Sequence, residues 1–328
     1  MKNYQIPLFQ LNMIEKLNKL KSKEDICNDT FVVVNFKAFN SHYLGLNNQN
    51  NLALLISSSE TKENKVNFKG KYLEILFNSD ATISFDGKLI NEKFTVLQLK
   101  NTNEDVREYF IDICSIILQN LGEKPTLSSI EQEVVKVKQI FLNLSDKKIK
   151  EELGLWGELF LIANQKNKEI AINSWHINPN DRIDFNTGKK KIEVKTTISN
   201  YRKHIFKLYQ LRSNYEEDVL ICSIMTHQIN GGKSILDLIG QINHGLDNNL
   251  KLIFKEKVSR CLGSDLLAYE FKHFDYKSAS NSIRFYKSKN VPSIEINQIP
   301  NEIAKIQFES NLEKAKHDDV DYVNILSL

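Results

Sequence analysis

The stretch Asp184-Phe185-Asn186-Thr187-Gly188-Lys189-Lys190-Lys191-Ile192-Glu193-Val194-Lys195 puts charged side chains where a strand interior wants apolar ones. Ile192 and Val194 are strand formers that share one face, and with a period of two Glu193 and Lys195 share the other. Upstream, Arg182-Ile183-Asp184-Phe185 reads as the partner strand, and Asn186-Thr187-Gly188 supplies the turn of a tight hairpin. Pairing Asp184 with either Lys191 or Glu193 leaves it on the Glu193/Lys195 face. Two carboxylates and a lysine then converge, which suffices to hold Mg2+ beside a phosphodiester.

A second anomaly lies upstream. From Leu153 to Ala163 a helical segment, Leu-Gly-Leu-Trp-Gly-Glu-Leu-Phe-Leu-Ile-Ala, is apolar on every side except at Glu158. An unpaired buried carboxylate costs several kcal/mol or is neutralised, so Glu158 needs a cation: a buried Arg or Lys, or the centre that the hairpin builds. Gly154 and Gly157 leave room for another backbone to come close. Between helix and hairpin, Ser174-Trp175-His176-Ile177-Asn178-Pro179-Asn180-Asp181 is a loop. Asp181 competes with Asp184, but it sits at the rim of the apolar strand pattern and Asp184 lies inside it. Trp175 and His176 can line the site, although a loop histidine is more often solvated or capping.

The chain has 328 residues, which favours two domains, and 44 basic against 41 acidic residues leave a net charge of only +3. Attraction to nucleic acid must therefore come from local clustering. Cys27, Cys114, Cys222 and Cys261 are widely spaced, with no CxxC pair, and read as free thiols of a reducing compartment. The amino terminus has no apolar signal core, and no stretch approaches the roughly 18 apolar residues of a membrane span. A soluble cytoplasmic protein with no membrane association is the expectation.

Residues 1–25 are partly helical in pattern. Short strands follow from Thr30 to about Lys100, at 31–34, 52–56, 73–77, 81–85 and 94–99, as an antiparallel unit with turns at Asp86-Gly87 and within Phe68-Lys69-Gly70-Lys71. Two helices come next, 104–121 with a Val106/Phe110/Ile113/Ile117/Leu121 stripe, and one after Thr126-Leu127-Ser128-Ser129 running to about Leu144. The boundary falls near 145, giving an accessory β-rich domain with connecting helices at 1–145 and the site-bearing domain at 146–328. In the second, 218–227 is a buried core strand, helices span 234–246 and 250–262, and 269–271 and 282–286 are late edge strands. Gly232-Lys233-Ser234 mimics the end of a Walker loop, but His227 stands where its first glycine is required.

A helical Glu in Gly-Leu-Trp-Gly-Glu-Leu, an Asp on a strand and Glu-Val-Lys on the next strand resemble the PD-(D/E)XK nuclease superfamily. More narrowly, the chain resembles a bacterial PD-(D/E)XK family associated with restriction-like phage-defence gene clusters. Gln210-Leu211, the tail Asn290-Val291-Pro292-Ser293-Ile294 and Ile299-Pro300 also carry that narrower likeness. The literal Pro-Asp dipeptide is absent, Ile183 standing before Asp184. The resemblance implies an α/β fold with a restriction-endonuclease-like central mixed sheet flanked by helices, beside an N-terminal accessory antiparallel β plus helical domain.

It also implies a metal-dependent DNA endonuclease, with Asp184, Glu193, Lys195 and Glu158 as catalytic residues. Mg2+, with Mn2+ as a substitute, would be held by Asp184, Glu193, the Val194 backbone carbonyl and Glu158. Lys189, Lys190, Arg202, Lys203 and His204 form the densest basic region near the motif, with aromatics interleaved, and with Gln210 they are the candidate nucleic-acid contacts. A homodimer or other proteins of a defence operon are the expected partners beside DNA. The competing class is a non-catalytic nuclease-fold DNA-binding or scaffold subunit of a defence complex. A hydrolase with a Ser or Cys nucleophile finds no Gly-x-Ser-x-Gly elbow to support it.

Overall fold

The computed structural model of the chain describes residues 30–36, 39–59, 65–100, 104–178, 181–211, 219–268, 270–295, 299–300, 302–303 and 305–327. The helical pattern expected within 1–25 and Cys27 lie outside them. The described chain divides into two compact units, one built from 30–148 with 247–268 and the other from 149–246 with 270–327.

The first unit opens with β1 (Thr30–Asn35), β2 (His42–Leu46), β3 (Leu52–Ile56), β4 (Phe68–Lys69), β5 (Leu73–Phe85) and β6 (Lys88–Leu99). Their order is β1-β2-β3-β6-β5-β4, and β1 also pairs with β5. That last pairing is parallel, Thr30 opposite Thr82 and Val32 opposite Ser84, so the sheet is not purely antiparallel as the sequence suggests. The cause is β5, a single strand over what the sequence divides into two. A register shift between Leu76 and Ser79, with Asn78 at φ 47°, bends it, so that its second half reaches β1 and closes the sheet on itself.

Closure gives this sheet two buried faces. Val33, Ala53, Leu55, Ile83, Phe94 and Val96 fill one cluster. Val34, Leu52, Leu54, Ile56, Leu97 and Leu99 belong to the other, which packs on α1 (Glu104–Leu121) and α2 (Leu127–Asn143) through Phe110, Ile113, Ile130 and Val137. This is why β3, Leu-Ala-Leu-Leu-Ile, is apolar at every position: alternate side chains serve alternate cores. Asp86 and Gly87 make the β5–β6 turn with φ of 48° and 75°, and the Thr126 hydroxyl caps α2 by accepting from the Ser129 N–H.

The second unit contains α3 (Glu152–Asn164), α4 (Lys168–Ser174), β7 (Phe185–Asn186), β8 (Lys191–Thr197), β9 (Lys203–Lys207), α5 (Leu208–Leu211), β10 (Val219–Met225), β11 (Gln228–Lys233) and α6 (Ile235–Asn243). After α7 (Asn248–Leu262), which belongs to the first unit, it resumes with α8 (Tyr276–Ser282), β12 (Arg284–Lys287) and β13 (Gln307–Asn311). A domain running unbroken from 146 to 328 would hold α7, whereas α7 packs with the 30–148 unit: Leu252 enters its core and Asn143 Nδ2 donates to Ser259 Oγ at 3.1 Å. The central sheet has the order β12-β10-β8-β7, with β8 and β10 parallel and both outer pairs antiparallel. β9 and β13 form a separate antiparallel pair. Of the two late strands expected, Arg284–Lys287 forms at the sheet edge, and Glu270 and Phe271 are not strand. Cys114 and Cys222 are free thiols and, like Cys261, are buried.

Candidate active site

Glu158 enters the site from α3, whose residues Leu155 to Ala163 are all buried, Glu158 itself being 5% exposed. Gly157 sets the helix against β8: a Cβ there would lie 1.8 Å from Thr196 Oγ1, so only hydrogen fits. Gly154 has no such neighbour within 4 Å. The cation that Glu158 requires is the Lys150 ammonium, with Nζ 2.6 Å from Oε1 and 2.5 Å from Oε2. Trp175 Nε1–H also donates to Oε2, at 2.5 Å, so the loop tryptophan does line the site. Lys150 reaches Asp184 Oδ1 as well, at 3.5 Å.

The partner strand of the hairpin is shorter than the sequence suggests. Only Phe185 and Asn186 pair with β8, opposite Ile192 and Lys191, and the connection is the four-residue loop 187–190, not a two-residue turn. Asp184 lies just before the strand and is fixed from two sides. Its carbonyl accepts from the His176 N–H at 2.7 Å, and its Oδ2 accepts from the Val194 N–H at 2.8 Å. In an extended strand the N–H and C=O of one residue leave the backbone on the same side. The Val194 carbonyl is therefore directed toward Asp184, past the end of β7.

On β8, Glu193 and Lys195 share a face as their spacing requires, and Lys195 Nζ lies 2.7 Å from Glu193 Oε1. Gln210 ties the pair together. Its Nε2 donates to Glu193 Oε1 at 2.5 Å, and its Oε1 accepts from Lys195 Nζ at 3.2 Å and from the Lys207 N–H at 3.0 Å. Gln210 is buried, so the structure places it inside the Glu193/Lys195 centre and not on a nucleic-acid-facing surface.

Burial dominates the electrostatics. Desolvation, with Asp184 as the nearest like charge, pushes Glu158 up to about 8 and Glu193 up to about 7. Lys150 and Lys195 oppose those rises without cancelling them. Three carboxylates thus face two ammonium groups, a deficit of positive charge in a half-dry place. Among the described residues no group of three His, Cys, Asp or Glu side chains is arranged to hold a metal ion. The donor set that fits a hard cation is smaller: Asp184, Glu193 and the Val194 carbonyl, all oxygen, with water filling the rest. Glu158 has both oxygens engaged by Lys150 and Trp175, so it lies beside that set and not within it.

The remaining candidates separate. Asp181 caps its own turn, Oδ2 accepting from the Asn178 N–H at 3.0 Å, and is exposed. Lys189 and Lys203 are exposed and Lys190 half-buried. Arg202 and His204 are buried and cannot meet a backbone phosphate. Arg202 donates from Nη1 to Ser223 Oγ at 2.8 Å and from Nη2 to the Ser282 carbonyl at 2.6 Å. His204 Nε2 bonds Ser223 Oγ at 2.7 Å, and burial beside Arg202 and Lys195 pulls its pKa down to about 3, so the ring is neutral. Lys150 is the functional residue that sequence reasoning missed. The need for it was visible at Glu158, but no spacing rule links a residue in the irregular segment before a helix to one inside it.

A mixed sheet flanked by helices, with an acid on α3, one just before β7 and one on β8, and a lysine two residues after the β8 acid, defines an α/β protein of restriction-endonuclease-like fold. The family model described as "Putative PD-(D/E)XK family member, (DUF4420)" matches residues 15–313, and the chain belongs to this family. Neither the curated proteins nor the solved structures yielded a match. Among the described residues no helix is long and apolar enough to cross a membrane.

Proposed function

We propose that the protein is a divalent-metal-dependent DNA endonuclease of restriction or phage defence, with Asp184, Glu193 and the Val194 carbonyl holding Mg2+, or Mn2+ in its place. The observation that carries this is the bracing of Asp184, Glu193 and Lys195 by groups of the chain itself: Val194 N–H on Asp184, and Gln210 on both Glu193 and Lys195. Such bracing preorganises oxygen donors and an ammonium around one point. A bound divalent ion would acidify water and offset charge at phosphorus. Lys195 orients the attacking water or neutralises a non-bridging phosphate oxygen, and Gln210 keeps its ammonium within reach. Glu158 holds Lys150 against Asp184 at Oδ1, while the Val194 N–H holds Oδ2. Cutting both strands with one such site per chain calls for two copies, so a homodimer or a defence-complex partner belongs to the same proposal, as does a cytoplasmic location.

The test is nicking of several DNA forms with Mg2+ or Mn2+ by the purified protein. Activity is expected in wild type and lost in Asp184→Ala and Lys195→Ala; cleavage surviving in both variants would remove the assignment. One observation favours a second reading, a nuclease-fold subunit that binds DNA without cutting it. Lys150 and Lys195 already satisfy much of the acidic charge. Calorimetric titration separates the two: no Mn2+ binding at millimolar metal favours the second.

A further inference from the structure

The alternation of β9 that buries Arg202, His204 and Phe206 turns another set of residues outward. Tyr201, Lys203, Ile205, Lys207 and Tyr209 are all exposed, Tyr201 at 61%, Ile205 at 54% and Tyr209 at 44%. Lys203 Nζ lies 5.8 Å from the centre of the Tyr201 ring, and Lys207 Nζ lies 5.8 Å from the centre of the Tyr209 ring. These two contacts keep both rings on the lysine face, although the strand itself ends at Lys207. The result is a row reading aromatic, cation, aliphatic, cation, aromatic, its three central members on β9, Tyr201 just before it and Tyr209 on the α5 turn just after it. Opposite it, β13 contributes Gln307, Glu309 and Asn311 in register with Lys207, Ile205 and Lys203, and Glu309 lies 3.9 Å from Lys203. Isolated exposed apolar groups are ordinary, but three in a row with cations between them are not explained by solvation.

We propose that this face binds an unpaired DNA strand, with bases stacking on Tyr201 and Tyr209 and phosphates meeting Lys203 and Lys207. One chemical feature selects this occupant, and the place of the row in the chain agrees with it. Aromatic faces interleaved with cations match the alternation of bases and phosphates in a single strand, whereas a duplex keeps its base faces stacked and offers only phosphates. The row also adjoins the candidate centre along the chain, with its side chains on the face of β9 opposite Phe206, which packs beneath Lys195. Tyr209 precedes Gln210, whose side chain bonds Glu193 and Lys195, and the Lys207 N–H donates to that same Gln210. A strand lying along the row is thus held on the outer face of the element whose inner face packs against the candidate centre. The proposal rests on the nuclease reading for its choice of DNA, and it makes unpaired or frayed DNA the substrate form.

The test measures binding without metal, so it is independent of whether the protein cleaves. Fluorescence anisotropy with a labelled oligo-dT of about 16 nucleotides, and with a duplex of the same length, is run in EDTA on the full chain. Wild type is expected to prefer the single strand. Tyr201→Ala/Tyr209→Ala should weaken oligo-dT binding at least about tenfold, while Tyr201→Phe/Tyr209→Phe, which keeps both ring faces, should restore it to within about twofold. Lys203→Gln/Lys207→Gln should lower the log–log salt slope by about 0.7 per lysine removed. Melting temperatures confirm that each variant folds. Oligo-dT binding within twofold of wild type in the double alanine variant would overturn the proposal. So would equal affinity for duplex, or a changed oligomeric state with unchanged oligonucleotide binding, which would assign the face to a second copy of the chain. Failure of cleavage by wild type with binding as expected would count against the nuclease reading alone.

Discussion

Glu193 is an acid whose proton affinity the fold raises, and that fixes the sign of its pH dependence. Its pKa goes from the ordinary 4.5 up to about 7 because it is dry and close to Asp184. Between those values the folded chain holds a proton that the unfolded chain has released, so stability falls as pH rises through the window. Glu193→Gln removes that proton exchange and keeps an oxygen for Gln210. In metal-free buffer the melting temperature of the variant relative to wild type should therefore climb from about pH 5 to about pH 8; a constant difference would show that Lys195 fully offsets the desolvation. Lys150→Met acts in the opposite sense. It strips the cation from Glu158, which already sits near 8, and removing one partner of a buried pair costs about 3–5 kcal/mol. The penalty should be largest above pH 8 and shrink in acid as Glu158 takes up its proton, read as urea midpoints at the two ends. The demand for a cation at Glu158 was legible in the sequence because every neighbour in the helix is apolar. The identity of the cation was not, since Lys150 acts from a segment with no periodicity to read.

At the scale of elements, the contact of α3 with β8 holds the site in register. A methyl on Gly157 would meet Thr196 Oγ1 at 1.8 Å and its Cβ at 3.0 Å, both on a strand fixed by β10 on its far side. Gly157→Ala should thus cost about 1–3 kcal/mol by overpacking and shift Glu158 away from Asp184, lowering Mn2+ affinity in calorimetry. Gly154→Ala in the same helix meets nothing and should gain up to about 1 kcal/mol from helix propensity. Similar melting curves for the two variants would show that the interface yields easily. The sequence marked both glycines without distinguishing them, because close approach depends on which way the helix rolls. The same limit applies on β9. Basic residues clustered at 202–204 were visible, but the phase of the alternation, with Arg202 and His204 in and Lys203 out, was set by Phe206 packing beneath Lys195. The glutamate-lysine pair on β8 could be read in full, since a period of two needs no tertiary context once the strand is recognised.

Among the described residues the chain crosses between its two units three times, and the last two crossings bracket α7. That helix is bound to the 30–148 unit by apolar burial and by charge: Leu252 sits in its core, and the Lys255 ammonium, 2% exposed, lies 2.5 Å from Asp112 Oδ2. A fragment starting at 149 and running to the end keeps α7 and removes α1 and α2, on which it packs. Leu250, Leu252, Phe254 and Val258, all buried in the full chain, would then lose the cover that α1 and α2 provide. Burying such side chains stabilises by about 1.5–3 kcal/mol each, so the uncovered face should drive association of the fragment. Replacing 247–268 by a glycine/serine segment of equal length removes the apolar face and leaves α3, β7, β8 and β10 with every strand pairing they have in the full chain. The replaced fragment should therefore elute as a discrete species with a cooperative melt, while the unreplaced one aggregates. If both aggregate alike, the site-bearing unit depends on the 30–148 unit for more than α7, and its sheet is not a self-sufficient fold.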